Sequence, residues 1–122
     1  PLIVLFGGEP VVAVPDTVRG TGGRMLHYAL LSAQAIAGSG WTVLASGTDG
    51  IDGTAPAAGA VVDGRTLQQA CEVGLDASRY LEEFDSYGFF QALEERSGER
   101  FINAPGPTGT NVNDIMLWSH GT

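Results

Sequence analysis

Three glycine-rich loops stand out in this sequence because they combine backbone that a ligand can approach closely with side chains that bind anions or metals. The first loop, residues 20–24, precedes a segment with helical periodicity. The N–H groups and the positive dipole end at a helix start favour an anion, and a guanidinium can bind one through two hydrogen bonds. Gly22, Gly23 and Arg24 are therefore candidates for binding a phosphate or a carboxylate. The alternative is a tight turn beside a solvated arginine.

The second loop, residues 46–53, follows a predicted central strand, which is where open α/β sheets usually bind their ligands. Asp49 and Asp52 could hold Mg²⁺, because one or two carboxylates suffice when waters and ligand oxygens complete the octahedron. Thr48 is a candidate for binding substrate or nucleotide. The alternative for both aspartates is turn formation and helix capping.

The third loop, residues 106–114, resembles a phosphate-cradling loop but lacks the Gly-Lys-Ser/Thr ending of a P-loop. Its hydroxyl, amide and carboxylate groups can exchange hydrogen bonds with a polyhydroxylated or carboxylated ligand. These candidate binding residues are Thr108, Thr110, Asn111, Asn113 and Asp114. The alternative is a turn whose side chains satisfy its own backbone.

Composition excludes several classes of protein. The formal charge of -8 opposes binding to nucleic acid or to an anionic membrane surface. One cysteine and two histidines cannot assemble a His/Cys zinc site. All six basic residues are arginine, so neither a P-loop nor a Schiff-base mechanism can be complete within this chain. Because no apolar run approaches the roughly 20 residues of a membrane span, the chain is predicted to be soluble and cytoplasmic.

The elements that must position these loops alternate between strand and helix patterns. Apolar residues recur at helical spacing over 24–37, and a β-branched and aromatic run at 41–46 predicts a buried strand. Further strands are predicted at 2–6, 11–14, 100–103 and 115–118, and further helical segments at 57–62, 65–73, 77–83 and 86–96. The first two strands predict an N-terminal hairpin. The sequence therefore predicts one layered α/β domain over residues 1–122, with helices flanking a mixed, mostly parallel sheet.

Six motifs resemble, in order and spacing, those of the MOFRL family. They are Gly7-Gly8-Glu9, Gly22-Gly23-Arg24, the segment from Gly47 to Gly53, Ala57-Ala58-Gly59-Ala60, Asp85-Ser86-Tyr87 and the segment from Gly106 to Asp114. That family forms the C-terminal domain of glycerate 2-kinases, some of which carry the older label hydroxypyruvate reductase. The resemblance implies phosphorylation of D-glycerate to 2-phosphoglycerate with ATP and Mg²⁺.

The resemblance also implies a partner domain. In this family the active site is a cleft between the C-terminal domain and an N-terminal Rossmann-like domain, which carries the lysine used for phosphoryl transfer. This chain would then be the C-terminal part of a longer two-domain protein whose substrate is a small sugar acid, and the isolated chain would be inactive. The sequence leaves the oligomeric state open.

The family's functional residues transfer onto matching positions. Arg24 matches the active-site arginine, and Glu9, Asp49 and residues 111–114 match positions that line the cleft, which makes Arg24 and Glu9 the catalytic candidates. Two segments depart from the family pattern: residues 25–27 are Met-Leu-His instead of Asn-Gln-Glu, and residues 54–56 are Thr-Ala-Pro instead of Pro-Thr-Asp. The alternative hypothesis is therefore a binding or regulatory domain that keeps the fold but has lost phosphoryl transfer.

Overall fold

The computed structural model describes residues 2–8, 20–106, 108–109 and 113–121. Strands and helices follow one another in the order β1 (Leu2–Gly8), α1 (Arg24–Ala35), β2 (Trp41–Gly47), β3 (Gly59–Asp63), α2 (Thr66–Glu72), α3 (Ala77–Glu82), α4 (Ser86–Ser97), β4 (Ile102–Asn103) and β5 (Asp114–His120). The predicted α/β class is confirmed, and the four helices over residues 20–106 lie within two residues of their predicted bounds. The predicted second strand at 11–14, and with it the N-terminal hairpin, lies outside the described residues.

The prediction of a mostly parallel sheet is wrong. The strand order is β1-β5-β2-β3-β4, and every pairing between the described strands is antiparallel. β1 and β2 do run in the same direction, as expected of strands joined through a helix, but β5 lies between them and is antiparallel to both. The insertion of β5 between them makes the pairings antiparallel.

The predicted helical turn at 57–62 is also wrong, because β3 occupies most of this segment. β3 pairs with β2 from Ser46↔Gly59 to Thr42↔Asp63. Val62 faces the core with 1% of its surface exposed, whereas Val61 on the other face is 40% exposed, which is the alternation of a half-covered strand. A side chain at Gly59 would overlap the carbonyl oxygen of Ala45, so glycine is required for the pairing.

The helices cover one face of the sheet and form the core with it. The core contains Met25, Leu26, Ala29, Leu30 and Ala33 of α1, Val43, Ala45 and Val62 of the sheet, and Phe89, Phe90 and Leu93 of α4. Burying each of the larger of these side chains contributes roughly 1.5–3 kcal/mol. None of the helices in residues 20–106 is both long and apolar enough to cross a membrane.

The antiparallel pairing gathers the glycine-rich loops at one edge of the sheet. Asp114, the first residue of β5, pairs with Gly47 at the end of β2 and with Gly8 at the end of β1. The loop after β2 and the loop before β5 therefore meet here. The first turn of α1 lies at the same edge, because its amides donate hydrogen bonds to Asp52 in the loop after β2.

Candidate functional site

Arg24 and Asp114 form the centre of this edge. The guanidinium donates from Nε to Oδ2 of Asp114 and from Nη2 to Oδ1, the latter over 3.2 Å. Asp114 is 3% exposed, whereas the Arg24 side chain is 36% exposed. The carboxylate thus holds the guanidinium at the strand-end loops while part of its surface faces solvent. The ion pair between Arg24 and Asp114 therefore lies within this chain, at the strand-end loops.

Asp52 binds the first turn of α1. Its Oδ1 accepts a hydrogen bond from the N–H of Met25 at 3.0 Å, and its Oδ2 accepts one from the N–H of Leu26 at 2.8 Å. The N-cap residue Gly23 has no capping side chain, so Asp52 satisfies these helix-start amides from another loop. The amides of Met25 and Leu26 are therefore already hydrogen-bonded, and the guanidinium of Arg24 is a charged donor at this helix start.

Several effects act in opposite directions on the pKa of the Asp52 carboxyl. Asp52 is 3% exposed, and this burial raises the pKa of its carboxyl above the ordinary value. The two amide hydrogen bonds and the charge of Arg24 lower the pKa, and the charge of Asp114 raises it. A side chain at Gly23 would overlap the Asp52 carboxylate, so only glycine allows this close approach.

The second and third loops are joined by hydrogen bonds. The Thr48 hydroxyl donates to the carbonyl oxygen of Asn113 at 2.7 Å, and the Thr108 hydroxyl donates to the carbonyl oxygen of Thr48 at 2.6 Å. The amide of Thr108 also donates to the carbonyl oxygen of Asp49 at 3.3 Å. The structure thus brings Thr48, Asp49, Thr108 and Asn113 together, and in it the two threonine hydroxyls bond to backbone carbonyls of the loops themselves.

The described acidic residues of this edge do not by themselves form a metal site. Asp49 Oδ1 accepts the amide of Ile51 at 3.1 Å, which closes a local turn, and both oxygens of Asp52 bind α1. Across the described ranges, no three His, Cys, Asp or Glu side chains are grouped so that they could hold a metal ion. These contacts match the turn and capping alternative for both aspartates, and their assignment as Mg²⁺ ligands stays a prediction.

Residues 20–23 are held by contacts with α4 and with the loop that carries Asp52. The amide of Thr21 donates to Asp85 Oδ1 at 3.0 Å, and its carbonyl accepts the amide of Tyr87 at 2.9 Å. The amide of Gly22 faces the Thr54 hydroxyl at 3.5 Å. Asp85 is the N-cap residue of α4, but its side chain makes no cap bond to that helix and binds Thr21 instead. Sequence reasoning missed this support, although the Asp85-Ser86-Tyr87 motif pointed to the position.

The departures at residues 25–27 have different environments. Met25 and Leu26 are fully buried in the core. His27 stacks on Phe84, with ring centroids 5.0 Å apart and an interplanar angle of 10°, and its buried Nδ1 has no hydrogen-bond partner among the described residues. Burial lowers the pKa of His27, so the neutral imidazole is favoured. Of the remaining predicted site residues, Glu9, Thr110 and Asn111 lie outside the described residues.

The chain is similar to a known protein family and to curated glycerate kinases. A family model described as the MOFRL family matches residues 2–114. The D-glycerate 2-kinase of Thermotoga maritima is 45% identical over 118 residues, which cover 96% of this chain and 26% of that protein. The glycerate kinase of Danio rerio is 43% identical over 118 residues, covering 93% of this chain and 22% of that protein.

The fold is similar to that of a solved glycerate kinase. The crystal structure of glycerate kinase from Thermotoga maritima matches with a TM-score of 0.86 at 42% identity, covering 99% of this chain and 28% of that chain. The present chain thus spans 22–28% of the length of the glycerate kinases that it matches here.

Proposed function

Because this chain belongs to the MOFRL family, we propose that it is the C-terminal domain of an ATP-dependent glycerate 2-kinase that converts D-glycerate to 2-phosphoglycerate. The chain would supply one wall of an active-site cleft, and an N-terminal Rossmann-like domain would supply the other wall and the transfer lysine. A cytoplasmic location, where ATP is abundant, belongs to the same proposal. The names of the relatives support the kinase activity, and the position of Arg24 supports the role of this domain.

The observation that carries the proposal is the half-exposed guanidinium of Arg24 held at the strand-end loops by Asp114. A fixed guanidinium can neutralise charge on a transferring phosphoryl group or bind the glycerate carboxylate through two hydrogen bonds. Asp114 limits the rotation of the guanidinium, so less conformational entropy is lost when the anion binds. The substrate class that fits this arrangement is a small anionic sugar acid.

The other loop residues are proposed to contact substrate or nucleotide. Thr48, Thr108 and Asn113 lie at the same edge as Arg24, where their loops are fixed to one another. Glu9, Thr110 and Asn111 keep their proposed roles, with Glu9 as the second catalytic candidate. Mg²⁺ would arrive with the ATP phosphates, and the described acids make no complete site for it, so the ligands that complete its coordination would come from outside these residues.

The proposal predicts that Arg24→Ala in the full-length protein lowers kcat/KM for D-glycerate by at least about tenfold, or ~1.4 kcal/mol. The measurement is ATP-dependent formation of 2-phosphoglycerate by the wild type and the variant. Arg65→Ala is the matched control, since Arg65 is exposed and lies beside Asp63 at the opposite end of β3 from Gly59. Unchanged turnover in the Arg24 variant would rule out its catalytic role.

A non-catalytic binding domain is the second candidate, and one observation favours it. His27 replaces a carboxylate of the family pattern one helical turn after Arg24, and it packs against Phe84. Titration calorimetry of the full-length protein distinguishes the two functions. Binding of D-glycerate and ATP without formation of 2-phosphoglycerate would support the binding domain.

A further inference from the structure

We propose that Asp52 is a positioning residue for Arg24 and that it acts through the first turn of α1. This inference rests on the proposed function, because it assigns Asp52 to the arginine that meets the substrate. Arg24 is the first residue of α1, and the next two amides both donate to the Asp52 carboxylate, at 3.0 and 2.8 Å. The backbone that carries Arg24 is therefore held by a side chain from a different loop.

Two carboxylates fix Arg24 from opposite ends. Asp52 binds the backbone just after Arg24, and Asp114 binds the guanidinium at the tip of the side chain. Both aspartates are 3% exposed, so water competes little for either set of hydrogen bonds. If the first turn of α1 shifts, the guanidinium must move relative to Asp114 or lose its hydrogen bonds. Misplacement by about 1 Å can lower the rate of a reaction by up to roughly 100-fold.

The backbone around Asp52 is shaped for this contact. Glycine at position 23 leaves room for the carboxylate, which any side chain there would overlap. Gly53, the residue after Asp52, has a φ of 58°, and a side chain on it would come within 2.9 Å of the Gly22 carbonyl oxygen. The glycines at 23 and 53 thus allow the two loops to pack backbone against backbone, which brings Asp52 to the helix start.

A positioning role differs from metal binding in its consequences. An asparagine at position 52 can accept one of the two amide hydrogen bonds, but its NH₂ group would face the other N–H donor. The first turn of α1 then loses a partner, while the coordination of Mg²⁺ is unaffected. A metal ligand would behave differently, because its loss raises the Mg²⁺ concentration needed for half-maximal activity.

The experiment is a double-mutant cycle in the full-length protein. Asp52→Asn, Arg24→Ala and the double variant are compared in kcat and KM for D-glycerate at several Mg²⁺ concentrations. Asp63→Asn is the matched control, because Asp63 also binds the amide at the start of a helix, that of Arg65 at 2.8 Å, but at the other end of β3. Hydrogen exchange of the Met25 and Leu26 amides is measured in the same proteins.

We expect Asp52→Asn to lower kcat/KM about tenfold in the wild-type background and less than about twofold in the Arg24→Ala background. The Mg²⁺ dependence should be unchanged, the two amides should exchange faster, and the Asp63 variant should match the wild type. Equal losses in both backgrounds, a higher Mg²⁺ requirement, or unchanged amide exchange would each overturn the proposal. If the wild-type protein has no kinase activity, the proposed function is refuted. The contact between Asp52 and the first turn of α1 is then still tested by the amide exchange.

Discussion

At the scale of single residues, His27 gives the protein a pH dependence that the stability of the fold should report. Burial lowers the pKa of His27 below its ordinary value of 6.5, and the folded imidazole has a buried nitrogen to which no residue in the described part of the chain hydrogen-bonds. Below pH 6.5 the unfolded chain therefore binds a proton more readily than the folded chain. We expect the free energy of unfolding to decrease as the pH falls from 6.5 toward the folded-state pKa.

His27→Phe should remove this dependence, because phenylalanine keeps a ring against Phe84 and does not titrate. Urea unfolding of the two proteins across this pH range measures the difference. His120→Gln, at the far end of β5 from Asp114, is the control and should keep the decrease. If the Phe variant loses stability with falling pH as steeply as the wild type, another group is responsible.

The same scale shows what residue types could predict about the site. The sequence predicts a site in the glycine-rich loops that carry Arg24, Asp52 and Asp114, and in the structure Arg24 is paired with Asp114. The partners of Asp52 were not predictable, because its bonds span 26 and 27 positions of sequence and depend on how two loops pack. A carboxylate between glycines is expected to accept hydrogen bonds from N–H groups, but the sequence does not show which residues donate them.

At the scale of elements, the prediction concerns β3. We expect Gly59→Ala to lower the free energy of unfolding by about 2 kcal/mol or more, because the added methyl group overlaps the Ala45 carbonyl oxygen in the neighbouring strand. Gly7→Ala is the matched control, since a side chain at Gly7 meets no described atom within 4 Å. Denaturant unfolding measures both, and equal stability of the two variants would contradict the required close approach at Gly59.

The positions of the four helices and of β1, β2, β4 and β5 were predicted, whereas β3 and the directions of the paired strands were not, for a physical reason. A helix is stabilised within one segment, so the spacing of Leu26, Leu30 and Ala33 predicts it directly. A strand acquires its direction and neighbours from distant segments, as β5 does by pairing with both β1 and β2. The segment 57–62 contains residues compatible with a helix, and its pairing with β2 determined the outcome.

At the scale of the whole molecule, the proposed function makes the site on this chain one part of a larger active site. We expect the isolated chain to show no phosphorylation of D-glycerate under conditions where the full-length protein is active, because the chain contains no lysine. A coupled assay for 2-phosphoglycerate at matched concentrations checks this, with circular dichroism to establish that the isolated chain is folded. Turnover by the folded isolated chain would contradict a shared site.

The position of β5 in the sheet has a consequence for how the protein is made. β5 is late in the sequence yet supplies the hydrogen-bond ladder through which β1 joins β2. During synthesis, β1 leaves the ribosome more than a hundred residues before β5 does, so its apolar segment 2–6 is without this partner strand throughout that delay. Nascent chains of this architecture should therefore be captured by chaperones that bind extended apolar segments until residue 120 has emerged.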